Sequence, residues 1–458
     1  MFESIDWDSE PLNRYAYSGF SYGGYPDSGT FHHRVGSLDL LRALRSSRQA
    51  QRPLSLAVRL PSRRALGHGR EDGLADAVGV YLQRLQREID LIGCHLGQPQ
   101  RVEQFHLAGA NVLDADALRR LMAHLRMRFS LLDYDSGDYA IEIEQAHTSW
   151  ATMGLLRELG FNHVSIGVAD AESSGGGAIA LQNPRQIRSL IDAARALHYR
   201  SVNIELGYGR VWQTRASFAR KVAAIVELQP GRVTLFDYAE PPLRYWPQRR
   251  ISTRGLSSRE DKAAMRRLGV EQLSLAGYRY IGTGLFALPE DDLAIAQENG
   301  HLRRTCQGFS QHADYDQIGL GVAAISQVGD LYAQNSRDLL RYQRQLEMGQ
   351  LATSRGLRCG FDDRLRRALV DSLMCNFAVD IGAIEARFGV CLRDYFASAW
   401  PLLEQMAGDG LLTLSRERIE LSAIGRLTMG AVCKAFEHQL AAPHGCAATR
   451  ALSLRECE

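Results

Sequence analysis

From about residue 53 to residue 285 the chain alternates short β-branched runs with longer amphipathic stretches, and nothing else in its 458 residues constrains the fold as tightly. The runs are PLSLAVRL (53–60), VEQFHL (102–107), DYAIEIE (138–144), HVSIGV (163–168), SVNIEL (201–206), RVTLFDY (232–238) and YRYIG (278–282). Their lengths and their Val, Ile, Tyr and Phe content predict strands. The stretches 72–93, 115–129, 149–159, 184–197, 214–228 and 258–276 carry apolar residues at helical spacing. Parallel neighbours need crossovers long enough to hold a helix, and the connections here have that length. The reading is an α/β fold, a partial (β/α)6-type barrel of parallel strands, with functional groups at the C-terminal strand ends.

The pattern divides the chain into an N-terminal arm (1–50), the barrel (51–330), a mainly helical C-terminal domain (331–440) and a tail (441–458). The arm holds Tyr15-Ala-Tyr-Ser-Gly-Phe-Ser-Tyr-Gly-Gly-Tyr25-Pro26, a mix that suits a loop lying over a surface or pocket. In the C-terminal domain, 335–347, 363–376, 380–388, 392–407 and 423–439 read as helices, and GLLTLSRERIEL (410–421) alternates like a small hairpin. Helices around a two-stranded wing suit either a packing lid or a nucleic-acid module. The balance of 54 basic against 52 acidic residues favours the lid and argues against nucleic acid as a partner. Ser173-Ser174-Gly175-Gly176-Gly177 reads as a flexible loop.

No run has the apolar length that a membrane span needs, and the first residues, MFESIDWDSEPLN, are too polar for a signal peptide. The expected location is the cytoplasm, with no membrane partner. The eight cysteines, Cys94, Cys306, Cys359, Cys375, Cys391, Cys433, Cys446 and Cys457, include no C-x-x-C or C-x3-C pair, so they read as free thiols. His68 and His106 fall near strand ends but lack a third ligand at metal spacing. Cys306 has no evident base beside it. Gly207-Tyr208-Gly209-Arg210 is a weak phosphate-loop signal. PPLRYWPQRR (241–250) sets aromatic faces beside cations and suits either a planar polycarboxylate or an ordinary surface loop.

Several longer segments act together. GFNHVSIGV (160–168) stands beside a family stretch G-F-N-R-L-S-M-G-V, and RPLSL (52–56) resembles that family's first strand. IGTGLFALPEDDLAIAQ (281–297), QGFS (307–310), IGLGVAAIS (318–326), YAQN (332–335), LMCNF (373–377) and Tyr25-Pro26 extend the likeness over nearly the whole chain. The chain resembles the oxygen-independent coproporphyrinogen III oxidases, a family of radical S-adenosylmethionine (SAM) enzymes. The resemblance implies decarboxylation of two propionates of coproporphyrinogen III to vinyl groups. It also implies a [4Fe–4S] cluster, held by a C-x3-C-x2-C loop, that reduces SAM.

The departures fall on that machinery. Arg63, Gly67 and Arg70 stand at the three cysteine positions. Cluster iron needs thiolates, guanidinium has no lone pair to offer, and glycine has no side chain. Ala57 replaces a tyrosine near the cluster, and His106-Leu107-Ala108-Gly109-Ala110-Asn111 replaces a G-G-G-T-P turn that meets the SAM amino group. Ala169 replaces a glutamine, the loop 170–182 lacks the expected arginine, and Gly284-Leu285-Phe286 replaces D-H-F. What survives is a relic SAM site of Glu142, Glu205, Ala239 and Ile325. Glu142 and Glu205 suit either a nucleoside-like ligand or pairing with arginines at the barrel mouth. Arg63 and Arg70 either face the vacated pocket as an anion site or point to solvent.

The expectation is an inactive relative of the family, a pseudoenzyme with no catalytic residue, no metal and no cofactor, that keeps a tetrapyrrole ligand as a carrier, sensor or regulatory protein. The protein partner is not defined by sequence. Two alternatives stay open: an active coproporphyrinogen III dehydrogenase with atypical cluster ligation, and a barrel recruited as a scaffold.

Overall fold

A computed structural model describes residues 5–7, 9–15, 22–67, 73–97, 99–133, 136–168, 183–238, 255–312 and 315–437. Strands β1 (Leu54–Arg59), β2 (Arg101–Ala108), β4 (Asp138–Glu144), β5 (His163–Gly167), β6 (Ser201–Tyr208) and β7 (Arg232–Asp237) follow the alternation read from sequence, and the short β3 (Ser130–Leu131) is an addition to it. Next come β8 (Arg279–Gly282), β9 (Leu285–Ala287), β10 (Arg303–Thr305), β11 (Gly308–Ser310), β12 (Asp316–Leu320), β13 (Ile325–Val328), β14 (Leu331–Asn335) and β15 (Thr353–Arg358). The last three, β16 (Ala378–Asp380), β17 (Leu412–Leu414) and β18 (Arg418–Leu421), form a separate small sheet.

The helices are α1 (Glu10–Tyr15), α2 (Ser37–Gln49), α3 (Arg63–Gly67), α4 (Leu74–Leu96), α5 (Ala115–Arg128), α6 (Trp150–Glu158), α7 (Pro184–Ala196), α8 (Arg215–Leu228), α9 (Arg259–Leu275) and α10 (Asp292–Glu298). After them come α11 (Leu339–Glu347), α12 (Phe361–Asn376), α13 (Ile381–Phe388), α14 (Leu392–Tyr395), α15 (Trp400–Gly408), α16 (Ala423–Leu427) and α17 (Met429–Ala435). The helix expected over 392–407 is two helices, broken before Pro401, which takes a first-turn position where a missing N–H costs nothing.

The large sheet has the order β15-β14-β13-β12-β1-β2-β4-β5-β6-β7-β9-β8, with β3 beside β2. Seven adjacent strands, β12 through β7, are parallel. The fold is an α/β one with a mainly parallel central sheet and a helical C-terminal domain. Two features depart from the simple strand–helix series. The run at 278–282 is not another parallel unit but pairs antiparallel with β9, because only a short turn separates them. The seventh parallel strand is instead β12, inserted beside β1 from far along the chain. The boundary expected between 330 and 331 falls between β13 and β14, which pair with each other in the main sheet.

Side chains alternate across the strands. Leu56, Phe105, Ile141, Val164, Ile204 and Val233 are buried on the helix-facing side. Ser55, Gln104, Glu142, Ser165 and Glu205 occupy the other parity on β1, β2, β4, β5 and β6, with Ser55 opposite Gln104 and Glu142 opposite Ser165. The sheet therefore presents a polar inner face with its C-terminal ends at one rim. At the opposite rim Asp138 bonds Arg200 at 2.8 Å, His312 at 2.6 Å and His163 at 3.3 Å. Burial raises the Asp138 pKa, but the bonds from His163 and His312 outweigh it and hold the carboxyl well below its ordinary range.

The arm wraps back over both units. His32 makes an antiparallel bridge to Gly356 of β15, and Tyr25 Oη donates to Asp363 of α12 at 2.7 Å. No helix among the described residues is long and apolar enough to cross a membrane.

Candidate functional site

The C-terminal ends of the parallel strands open on a cavity of about 480 Å³. The end of β1 supplies Ala57 and Arg59, the arm supplies Tyr22 to Phe31 in part, and the turn before β13 supplies Ala323 to Ile325. Among the described residues Arg59, Arg304, Arg337 and Asp27 line it. Two lining residues that are not glycine have left-handed backbone, Thr283 at φ 46° and Ala323 at φ 60°. Such strain costs free energy and recurs where a ligand is gripped.

After β1 the chain enters α3, whose first residue is Arg63 and whose last is Gly67. Arg63 is exposed, and its guanidinium donates twice to the Asn111 carbonyl, from Nε at 3.2 Å and from Nη2 at 2.9 Å. The Asn111 amide donates to Glu144 at 2.6 Å. Arg63 therefore fastens the loop after β1 to the turn after β2; it does not line the cavity. Arg70, Ala239, Ala169, His68, Ser173–Gly177 and the 241–250 loop lie outside the described residues.

Gly109 opens the turn after β2 at φ 78°, and a Cβ there would sit 2.7 Å from the Leu60 carbonyl oxygen. This glycine lets the turn close against β1.

Ile325 and Ala57 both line the cavity. Glu142 on β4 reaches His106 of β2, with Nε2 and Oε1 3.4 Å apart. Burial lowers the Arg59 guanidinium, while the charges of Glu142 and Tyr81 work the other way. Glu205 is buried deeper, accepting from Ser165 Oγ at 2.8 Å and from the Asn203 amide at 3.4 Å. Thr234, which lines the cavity, donates to Asn203 at 3.0 Å and joins that ladder to it. His106, read from sequence as lacking a third metal ligand, is thus a partner of Glu142.

Other sequence signals resolve as packing. A Cβ on Gly207 would strike the Tyr238 ring and one on Gly209 would meet Lys262, so this glycine turn is filled by side chains. Arg210 lies between Tyr238 and Trp212, 4.3 and 5.2 Å from their ring centroids. Burial pushes the Cys306 thiol up to about 11, which suppresses the thiolate a nucleophile requires. No group of three or more His, Cys, Asp or Glu among the described residues could hold a metal ion.

A buried carboxylate that no motif announced sets the turn beside β1. Glu88 of α4 accepts from the Gly321 N–H at 2.8 Å, the Asn335 amide at 2.6 Å and Tyr342 Oη at 2.7 Å. Tyr81 Oη donates to the Arg59 carbonyl at 3.0 Å and accepts the Val322 N–H at 3.1 Å. Gly321, at φ 103°, lies so close to Arg59 that a Cβ would be 2.1 Å from its carbonyl oxygen. These contacts fix the end of β12 against the end of β1, and with it the position of Ile325.

Comparison with known proteins places this architecture. Residues 362–428 match the model described as the HemN C-terminal domain. The oxygen-independent coproporphyrinogen III oxidase of Pseudomonas aeruginosa is 46% identical over 451 residues, covering 96% of this chain and 97% of that protein. The chain belongs to the oxygen-independent coproporphyrinogen III oxidase family. The oxidase of Escherichia coli K12 is 34% identical over 449 residues, 96% of each chain. A solved structure, described as "Coproporphyrinogen III oxidase (HemN) from Escherichia coli is a Radical SAM enzyme", superposes with a TM-score of 0.84 at 33% identity. It covers 96% of this chain and 100% of that one.

The family's cluster does not fit the residues at its usual loop. Arg63 is committed to a carbonyl, Gly67 has no donor, and position 70 is an arginine. The described cysteines nearest the cavity, Cys306 and Cys359, pack around Tyr332, and burial raises both thiols, to about 11 and about 12.

Proposed function

We propose that this family member binds a propionate-bearing tetrapyrrole in the cavity at the strand ends. The observation that carries the reading is the cavity itself: apolar walls from the arm and the β13 turn, with Arg59, Arg304 and Arg337 among the described lining residues. Apolar walls suit a macrocycle, and guanidinium groups suit its carboxylates. The protein's own residues would bind and orient the ring. Arg59, buried at the inner wall beside Glu142, would hold a carboxylate away from water, and the arm segment Tyr22–Phe31 would cover the ligand.

No reaction step is assigned to a cluster on the 63–70 loop, because that loop offers no thiolate. On this reading the chain retains the ligand and has given up SAM reduction. A second reading has its own support. Identity of 46% to the Pseudomonas oxidase over 96% of the chain favours a protein that keeps both the cofactors and the oxidase reaction. It requires cluster ligands from elsewhere than 63, 67 and 70.

Anaerobic reconstitution with iron and sulfide separates the two. The expected result is no EPR-active cubane after dithionite and no SAM cleavage; one cluster per chain with SAM cleavage would establish the oxidase reading. Titration with coproporphyrin III tests the ligand shared by both readings. A saturable Soret shift is expected, and its absence at large excess would overturn tetrapyrrole binding.

A further inference from the structure

Helix α2 packs on β13, β14 and β15 and against α4, and α11 packs on α4 as well. The start of α2 is tied to the turn after α11 by Ser37 Oγ, which donates to the Leu351 carbonyl at 2.8 Å. At the other end of α2, Arg48 lies against Gly97, the C-terminal cap of α4. Helix α11 is fastened to α4 by the Arg84–Glu347 ion pair and by Tyr342 Oη on Glu88 at 2.7 Å. The three helices thus form one outer layer over the β12–β15 end of the sheet.

The solvent faces of α2 and α11 share one composition. On α2, Leu40, Leu44 and Ser47 are buried, while Leu38, Arg42 and Arg45 follow at i, i+4 and i+7 on the exposed side. On α11, Tyr342 and Leu346 are buried, while Leu340, Arg344 and the cap residue Met348 are exposed at i, i+4 and i+8. Leu38, Leu340 and Met348 are 69%, 64% and 65% exposed, among the most exposed large apolar side chains of the described residues. Arg48, Arg87 of α4 and Arg341 add exposed guanidinium groups. None of these arginines forms an ion pair with a described residue. The acids of the layer are engaged elsewhere: Asp39 with Arg358 at 3.5 Å, Asp90 with Arg128 at 2.7 Å and Glu347 with Arg84. Glu88 is buried, Asp338 caps α11, and Asp76 stands in the first turn of α4.

Guanidinium groups alone would suit any polyanion. The interleaved aliphatic side chains favour one: a bilayer interface takes cations among its headgroups and aliphatic groups beneath them, whereas a bare phosphodiester or carboxylate surface offers the latter nothing. We propose that the α2–α4–α11 layer docks on an anionic phospholipid surface, its arginines on headgroup phosphates and Leu38, Leu340 and Met348 below them. The sequence lacks a membrane-spanning run, but a surface contact needs none. This layer lies on the helix side of the sheet, away from the polar inner face, so it stands whether or not the cavity takes a tetrapyrrole.

The test is co-sedimentation of the full chain with vesicles of equal parts phosphatidylglycerol and phosphatidylcholine, and with vesicles of phosphatidylcholine alone. Wild type is expected to bind the anionic vesicles, not the neutral ones, and to be released as salt is raised. R42Q/R45Q/R344Q is expected to weaken binding about a hundredfold, near fivefold for each cation at an anionic leaflet. R185Q/R188Q/R220Q removes the same charge from exposed positions of α7 and α8 and is expected to bind like wild type. An equal loss in that variant would show that net charge, not this face, drives binding, and would overturn the surface. L340S/M348S is expected to weaken binding about tenfold at unchanged charge. Unaltered binding there would leave a contact made by charge alone, as with an acidic protein or a nucleic acid, and would overturn the bilayer assignment. Failure of wild type to bind anionic vesicles would overturn it outright. Every substituted side chain is exposed, so unchanged thermal melting is expected and marks the variants as folded.

Discussion

Two turns leave adjacent parallel strands and face the same rim, yet they are built in opposite ways. The turn after β1, where the resemblance to the family expects cluster cysteines, is tied to the neighbouring turn by the exposed Arg63 on the Asn111 carbonyl. The turn after β12 is held from inside by Glu88, with three donors on its carboxylate, and by the Tyr81 hydroxyl bridging the two strand ends. Among the described residues the side-chain tie of the first turn to its neighbour is therefore a surface contact. The second depends on buried groups that fold with the helices, and it is fully bonded. The difference separates a turn fixed by buried bonds from one tied at the surface.

The contrast breaks most readily at Glu88. Glu88→Ala would strand a backbone N–H, an amide and a tyrosine hydroxyl in the core, and a loss of about 3 to 5 kcal/mol is expected from chemical denaturation. A change below about 1 kcal/mol would mean that the two turns do not differ as described.

A smaller effect is expected in the pH dependence. Burial raises the Glu88 carboxyl to about 7 from its ordinary 4.5, outweighing its three hydrogen bonds. The folded state then holds the proton more tightly than the unfolded state does. The Glu88 contribution to stability is greatest below the ordinary value and declines as pH rises from there toward about 7. Glu88→Gln should flatten that decline when melting is followed across the same range. An unaltered profile would show that the carboxyl does not titrate there.

The smallest effect is expected at the other turn. Arg63→Ala removes an exposed contact and should cost less than about 1 kcal/mol, with coproporphyrin III affinity unchanged. Weakened porphyrin binding would show that this arginine faces the ligand after all, and would narrow the distance between the two turns.

Strands β1, β2 and β4 to β7 and helices α4 to α8 were legible because each is written in local periodicity. Val, Ile and Leu at alternate positions of 138–144 or 201–206 fix a strand and its buried face without reference to distant residues. The absence of cysteine from the loop after β1 was equally legible, since it is a fact of composition. The pairing of His106 with Glu142 and the retention of Arg63 by Asn111 were not, because each joins residues from different strand ends. Glu88 gave no signal at all: a glutamate in an amphipathic helix normally reads as solvent-facing, and its partner Gly321 lies 233 residues away.

By itself the sequence determined the α/β rhythm, the family likeness and the absence of thiolates from the first loop, because adjacent residues encode all three. The tertiary structure alone decided that β12 lies beside β1, that a carboxylate from α4 clamps their ends, and that His106 meets Glu142. Those outcomes depend on which strands become lateral neighbours, and burying the apolar faces of the whole sheet at once selects that arrangement.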